Sequence, residues 1–270
     1  MNGNENGRNF ASKVAIAGLL LLATTVLSAC AEKKAGEPLK VDLADNNKAA
    51  AQQDREEPTP QDRDALEPLN RGIFKFNEVL DGVLLKPLAH IYLGVMPEYG
   101  QKMVRNVLTN LTSPVVFLNS ALQGDVNNAE RTFGRFVVNS TLGVAGAFDV
   151  ATEFGIKKER RKDFGQTMGV YGAGTGTYIV LPVLGPSDAR DTLGLLVDIA
   201  SDPFTYILTT NESLARGAVD GLVKRADYLP VTDRVYRDSF DPYATFRSMY
   251  LQNRGSFVKN YLGDDAREQK

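Results

Sequence analysis

The sequence is short of the side chains that most enzymes use: its 270 residues include one histidine, His90, and one cysteine, Cys30. A zinc site of common spacing and a serine–histidine triad both need more than this, and no G-x-S-x-G turn is present. The 33 acidic residues leave paired carboxylates open, because so many acids always allow some pairing in space. From these absences the sequence predicts a protein that is not an enzyme and that has no metal site and no cofactor.

An excess of positive charge is also absent, since 31 basic and 33 acidic residues give a formal net charge of −2. Nucleic-acid binding depends on neutralising phosphates with lysine and arginine, so this balance argues against a nucleic-acid partner. A single cysteine forms no internal disulfide, so the folded part must be stabilised by burial alone.

The N-terminus carries an apolar stretch from Val14 to Val26, preceded by Arg8 and Lys13. The stretch is too short for a stable spanning helix but has the length of a signal-peptide core. It is followed by L-S-A-C, which resembles the lipobox of bacterial lipoproteins, where cleavage exposes a cysteine that is then acylated. We therefore predict a signal peptide at residues 1–29 and covalent acyl and diacylglyceryl groups on Cys30.

Residues 30–63 are predicted to form a lipidated, flexible tether. They contain no aromatic residue and are rich in Ala, Lys, Asp, Glu and Gln, so they lack the apolar surface needed to fold. A coil of this length has a reach of roughly 30 Å, which keeps the folded part near the membrane that holds the lipid. In such lipoproteins an aspartate after the cysteine favours the inner membrane; Ala31 stands there instead, which points to the outer membrane by resemblance.

Residues 64–263 are predicted to form one mainly helical domain, followed by a tail at 264–270. Helix starts are indicated where a capping residue precedes proline, at Ser113-Pro114, Asp202-Pro203 and Asp241-Pro242. Periodicity and Gly, Pro and Asn punctuation predict further helices over 70–84, 97–110, 125–142, 187–200 and 212–226. A short extended piece is an open alternative for 179–184.

Four segments have informative side chains. On the 125–142 helix, Asn128, Arg131, Arg135 and Asn139 form a polar stripe opposite Val126, Ala129, Phe133, Phe136 and Val137. A surface helix whose apolar face packs on a core is the favoured interpretation.

Residues 115–118 are apolar nearly all round, as expected if they are fully buried or face lipid. The aromatic stripe of Tyr243, Phe246, Tyr250, Phe257 and Tyr261 predicts core packing. The basic run 157–162 fits either lipid headgroups or a solvated loop.

The glycine-rich run from Phe164 to Asp191 does not fit a nucleotide-binding loop. Gly172, Gly174 and Gly176 are evenly spaced, whereas G-x-G-x-x-G needs a wider second interval, and Pro182 and Pro186 stand where a helix would follow. Glycine frees the backbone and proline blocks a long helix, so a shaped, flexible loop is predicted.

Several of these motifs, taken in order, resemble the MlaA/VacJ family of outer-membrane lipoproteins. Glu67–Asn77 (EPLNRGIFKFN) is similar to the opening motif, approximately (D)PLE-x-x-NR-x-x-(F/Y)-x-FN, and Phe164–Asp191 is similar to a second signature. Asp241-Pro242-Tyr243 with Tyr250 and Gln252 resembles a C-terminal one. The resemblance covers residues 64–254, with departures at 94–98 and 157–162.

The family's members are ring-shaped, mainly α proteins that lie in the inner leaflet of the outer membrane, often beside trimeric porins. A polar channel lets phospholipid that has strayed into the outer leaflet pass inward to a soluble periplasmic carrier of the Mla system. The resemblance therefore implies a ring-like helical domain, lipid-anchored at the periplasmic face of the outer membrane, that maintains lipid asymmetry. A lipid-anchored envelope scaffold and a lipid-modifying hydrolase are the alternatives from other classes.

The resemblance also implies which residues serve the channel. The channel or lid candidates are Asn70, Arg71, Phe74, Phe76, Asn77, Arg131 and Arg135. The family's flexible hairpin corresponds here to Gly172, Gly174 and Gly176.

Overall fold

The computed structural model describes residues 64–268, and side chains as far as Phe257. Cys30, the predicted signal peptide and the predicted tether lie outside the described residues. The helices are α1 (Glu67–Leu80), a π-helical turn (Asp81–Leu85), α2 (Lys86–Val95), α3 (Glu98–Leu122), α4 (Val126–Thr141), α5 (Val150–Glu153), α6 (Phe164–Val170), α7 (Ala189–Ser201), α8 (Phe204–Ile207), α9 (Thr210–Asp238) and α10 (Pro242–Glu268). The mainly α class is confirmed, and α10 continues past the predicted domain end at 263.

Helix starts follow the capping chemistry of the sequence. The Asp125 side chain accepts a hydrogen bond from the Asn128 amide at 3.0 Å, which caps α4. A capping box of Thr209 and Glu212 begins α9. The predicted start at Asp241-Pro242 is confirmed, because α10 begins at Pro242.

The predicted start at Ser113-Pro114 is wrong, because Pro114 lies inside α3. Proline removes one helical hydrogen bond and normally breaks or kinks a helix. Here the hydroxyls of Thr112 and Ser113 donate to the carbonyl of Thr109 at 2.9 and 3.0 Å, just before the proline. These local bonds add to the turn before the proline, and α3 runs on to Leu122. Helix α2, which follows the π-helical turn, was not predicted.

The two strands form a small hairpin. β1 (Tyr178–Leu181) pairs antiparallel with β2 (Gly185–Asp188), with Tyr178 opposite Asp188 and Leu181 opposite Gly185. The short extended piece suggested for 179–184 is therefore present as β1 and its turn, where Val183 has a left-handed φ of 67°.

Gly172, Gly174 and Gly176 precede this hairpin and do not form it, so their assignment as the hairpin is wrong. Gly172 and Gly176 have positive φ values of 88° and 69°, which favour glycine, whereas Gly174 does not. The end of the segment is tied to α7, because the Ala189 amide donates to the Thr177 carbonyl at 3.0 Å. The hairpin turn instead falls at Pro182, because it is set by the pairing of β1 with β2.

Between residues 64 and 257, buried apolar side chains form two small clusters. Ala89 of α2 packs with Ala226 and Leu229 of α9. Tyr178 and Val180 of β1 pack with Tyr243 of α10.

The predicted packing of the α10 aromatic stripe is confirmed for Tyr243, Phe246 and Tyr250, which make ring contacts with other elements. Phe257 is exposed instead. The side chain of Tyr261 lies outside the described residues.

The first described residue is bound to the C-terminal helix. The Asp64 carboxylate is fully enclosed and accepts hydrogen bonds from the Tyr243 hydroxyl and from Arg247 Nη1, the latter at 2.8 Å. Arg71 of α1 adds an ion pair to Asp241 at 2.8 Å. The beginning of the domain and α10 are thereby held together.

Candidate functional site

Helix α4 has the opposite polarity from a helix on an ordinary soluble core. Asn128, Arg135 and Asn139 of its polar stripe are buried, as is the neighbouring Thr132, while Arg131 is half-buried. Val126 and Phe133 on the apolar arc are 63% and 56% exposed. The expectation that the apolar face packs on a core is therefore wrong, because this helix buries its polar side.

The buried polar side chains of α4 are stabilised by hydrogen bonds. Asn128 donates to the Ser120 hydroxyl at 2.8 Å and to the Arg160 carbonyl at 3.0 Å, and accepts from the Arg160 amide at 2.7 Å. Asn139 accepts from the Ala151 amide at 2.8 Å. Buried polar groups are costly unless they are paired in this way, so these bonds make a polar interior tolerable.

Other helices also leave apolar side chains outside. Their exposed residues recur at three- to four-residue or double-turn spacing, which puts them on one side of a helix. They are Leu69, Phe76, Val79 and Val83 along α1 and the following turn, Leu88, Ile91 and Val95 of α2, and Leu193, Leu196 and Ile199 of α7. Extended apolar surfaces of this kind mark contacts with a membrane or with another protein. None of the helices between residues 64 and 268 combines the length and apolar character needed to cross a membrane.

The segment 115–118, expected to be either fully buried or facing lipid, is divided between the two. Val116 is buried, while Phe117 and Leu118 are exposed. Phe117 contacts Phe133 of α4 at a ring-centroid distance of 5.7 Å. The exposed apolar surface therefore continues from α4 onto α3.

Arg135 is the most heavily bonded side chain of the polar interior. It forms ion pairs with Asp149 at 2.6 Å and Glu159 at 2.7 Å, and donates to the Ile156 carbonyl at 3.0 Å. Burial raises the pKa of Asp149, but hydrogen bonds from Thr152 and Arg135 outweigh burial and leave this pKa below its usual value. Arg135 is thus paired on several sides, with 7% of its side chain exposed.

A polar cavity of about 200 Å³ lies against this arginine. α3 contributes Asn106, Thr109, Asn110 and Ser113, α4 contributes Arg135 and Asn139, and the segment after α4 contributes Asp149, Lys158, Glu159 and Arg161. It is the point where the buried polar faces of α3 and α4 meet the basic run 157–162.

Two asparagines of α3 hold the loop that follows α4. Asn106 donates to the Ala147 carbonyl at 3.1 Å, and Asn110 donates to the Ala145 carbonyl at 3.4 Å and to the hydroxyl of Ser140, at the end of α4, at 2.8 Å. The loop has positive φ at three consecutive residues from Val144, and at Gly146 a Cβ atom would lie 2.5 Å from Asn110. Sequence inspection missed both asparagines, although their four-residue spacing places them on one helix face.

The candidate residues of α1 take different positions. Asn70 is fully buried; it donates to Asp64 at 2.7 Å and to the Tyr178 carbonyl at 3.0 Å, and accepts from the Val180 amide at 2.9 Å. Two turns later, Asn77 donates to the Leu181 carbonyl at 2.9 Å and accepts from the Val183 amide at 2.7 Å. Both side chains hold the hairpin to α1, and Asn70 has no surface on which to line a channel.

The remaining candidates do not meet at one place. Arg71 lies 4.3 Å from the centre of the Tyr243 ring, and Phe74 packs in the same aromatic group at 5.6 Å. Phe76 faces outward and lines an apolar cavity of about 480 Å³ together with Leu69 and Pro182. Arg131 is half-buried and does not line the polar cavity. Of the predicted set, Arg135 alone lines that cavity.

A second buried polar group lies between α3, α6 and α7. Asn119 donates to Asp198 at 2.8 Å and accepts from the Thr167 hydroxyl at 2.8 Å, and Asp198 also accepts from the Phe164 amide at 3.1 Å. Burial raises the pKa of Asp198 to about 6. Sequence inspection did not single out these residues, since each is unremarkable until the three elements pack.

The fold and its surfaces define a class of protein: a helical domain with a polar interior, outward apolar faces and, in residues 64–268, no spanning helix. Residues 62–256 match the model of the family described as MlaA lipoprotein. The chain belongs to the MlaA lipoprotein family.

Known relatives extend this match. An uncharacterised protein of Rickettsia bellii is 37% identical over 197 residues, covering 73% of this chain and 77% of the relative. The Escherichia coli K12 protein named intermembrane phospholipid transport system lipoprotein MlaA is 36% identical over 200 residues, covering 73% and 78%. A solved structure from work on the structural basis for maintenance of bacterial outer membrane lipid asymmetry has 34% identity and a TM-score of 0.65, covering 72% of this chain and 98% of that one.

Proposed function

We propose that this lipoprotein removes mislocalised phospholipid from the outer leaflet of the outer membrane through a polar path and passes it to a periplasmic carrier. The observation that carries the proposal is the inverted polarity of the domain. Acyl tails remain in hydrocarbon along the exposed apolar faces of α1, α2, α4 and α7, while a charged headgroup needs polar side chains to avoid the cost of crossing hydrocarbon. Moving a lipid in this way breaks none of its bonds, so the arrangement favours a transporter over a hydrolase.

The domain is proposed to lie in the inner leaflet, as a ring-like structure anchored through acyl and diacylglyceryl groups on Cys30 at the periplasmic face. Amphipathic helices that do not span can be held in this way, because their apolar sides enter one leaflet and two or more acyl chains give stable anchoring. A trimeric porin and the soluble carrier of the Mla system are the proposed partners.

The amount of phospholipid exposed in the outer leaflet of intact cells tests the proposal. Intact cells lacking the protein are labelled with a membrane-impermeant amine reagent, and the labelled aminophospholipid is compared with that of parent and complemented cells. The expected result is a several-fold increase on deletion that the wild-type chain reverses. A scaffold would leave the labelled fraction unchanged. Release of fatty acid or headgroup from phospholipid by the purified protein, above a blank, would instead support the hydrolase.

A further inference from the structure

We propose that the polar cavity between α3, α4 and the 156–161 segment binds a phosphate group, with Lys158 and Arg161 as its cationic ligands. As applied to a phospholipid headgroup, the inference rests on the proposed function. It begins with the charges that line the cavity, which are three cationic and two anionic side chains.

Both anionic side chains are already paired with Arg135. Asp149 and Glu159 lie 2.6 and 2.7 Å from its guanidinium nitrogens, and the carbonyl of Ile156 takes a further donor. Arg135 therefore offsets one of the two negative charges and, with both carboxylates beside it, has little capacity left for a ligand. With Lys158 and Arg161 added, three cationic and two anionic side chains leave the lining a formal net charge of +1.

Lys158 and Arg161 differ from their neighbours in the basic run. Arg160 and Lys162 form ion pairs with Asp125 at 2.8 and 3.3 Å, on the other side of the segment. Lys158 and Arg161 are exposed and line the cavity, and no carboxylate in the side-chain-resolved part of the chain lies within ion-pair distance of either. The backbone of the segment is fixed, because Asn128 binds both the amide and the carbonyl of Arg160. Two unpaired cations are thus held beside a polar cavity by a rigid support.

The size and chemistry of the cavity suit the phosphate of a headgroup and not a whole lipid. At about 200 Å³ it is smaller than the roughly 300–1,000 Å³ of pockets that enclose drug-sized ligands. Arginine binds phosphate oxygens through two parallel N–H groups and lysine adds a point charge, while the polar residues Thr109 and Ser113 line the same cavity. A phosphodiester and free inorganic phosphate share this chemistry.

Binding to the full-length protein in a non-ionic, phosphate-free detergent distinguishes the two sources. Glycerophosphoethanolamine and inorganic phosphate are titrated separately and followed by phosphorus NMR. The variants are Lys158→Gln with Arg161→Gln and, as matched control, Lys157→Gln, which removes an exposed charge of the same run that does not line the cavity. All three side chains are exposed, so thermal melting should match the wild type.

The double variant is expected to bind glycerophosphoethanolamine at least about tenfold more weakly, and the control within about twofold of wild type, since charge-assisted bonds are lost only from the cavity. Equal diester binding by wild type and the double variant, or binding of inorganic phosphate alone, would overturn the headgroup site. The surface-phospholipid assay is independent of this result. A deletion that leaves surface lipid unchanged contradicts the transport function, while a loss of diester binding in the double variant would still identify the cavity as an anion site.

Discussion

Replacing Asn70 by Ala is expected to destabilise the domain far more than the same change at Asn77. The Asn70 side chain makes three buried hydrogen bonds, to Asp64, the Tyr178 carbonyl and the Val180 amide. Alanine removes the bonds to these partners, and water does not reach them at this buried position. Each buried group left without a hydrogen bond costs about 1–3 kcal/mol. The expected loss is about 3–6 kcal/mol, a large share of a typical total of about 5–15 kcal/mol.

Asn77 is the matched control, because it binds the same hairpin through two bonds at the exposed turn. Water can replace the lost partner there, so Asn77→Ala should cost about 1–2 kcal/mol. Urea unfolding of the full-length protein in detergent, followed by circular dichroism, measures both changes. In thermal melts the difference corresponds to roughly 10 °C for a domain of this size. Similar losses for the two variants would refute the view that Asn70 is a buried support of the hairpin.

Three further predictions concern Cys30, Asp198 and the pair Gly172 and Gly174. Cys30→Ala should remove lipidation and shift the protein out of the outer-membrane pellet; full co-sedimentation after a high-salt wash would show that lipid is not the main anchor. Asp198 has a pKa raised to about 6 against roughly 3.9 unfolded, so the stability from its proton is present below pH 4 and lost as pH rises through 6. Asp198→Asn should remove up to about 2–3 kcal/mol of this pH dependence, less where solvent screens it, and an unchanged slope between pH 4 and 7 would contradict the assignment. Gly172→Ala should destabilise by about 1–2 kcal/mol because of its positive φ, whereas Gly174→Ala should be neutral or slightly stabilising; equal melting shifts would contradict this difference.

Local signals predicted the helix starts well where one side chain decides the start. Asp125 and Asp241 lie at the beginnings of α4 and α10, because a carboxylate near the first turn satisfies amides that the helix leaves open. Pro114 led to the wrong prediction of a helix start. It lies inside α3, where the hydroxyls of Thr112 and Ser113 donate to the Thr109 carbonyl just before it.

Periodicity predicted the two faces of α4 but not which face points inward. The spacing of apolar residues gives the direction of the hydrophobic side relative to the helix axis, and packing on a core was assumed for it. In this domain the pattern is turned the other way, because Phe133 of the apolar arc is exposed and Asn128 of the polar stripe is buried. The periodicity of one helix does not tell whether its apolar face packs inside the protein or lies on the outside.

Long-range partners could not be predicted from the motifs. The motif residue Asn70 was recognised as a candidate, but its bonds reach Tyr178, 108 residues away. The sequence offered the basic run 157–162 as a headgroup contact, but only the fold separates Lys158 and Arg161, which line the polar cavity with α3, from Arg160 and Lys162, which pair with Asp125.

The central claim is that the exposed apolar faces of helices such as α4 and α7 lie in lipid. Measuring how deep these faces lie in a bilayer tests it most directly. Single cysteines at Phe133, Leu196 and, as control, the exposed Arg237 are labelled with a fluorophore in Cys30→Ala protein reconstituted into phospholipid vesicles, so that the introduced cysteine is the one thiol. Labels at Phe133 and Leu196 should be quenched by nitroxides on acyl chains and protected from a water-soluble quencher, with the reverse at Arg237. Equal access of the water-soluble quencher to all three positions would contradict the proposed placement of these faces in lipid.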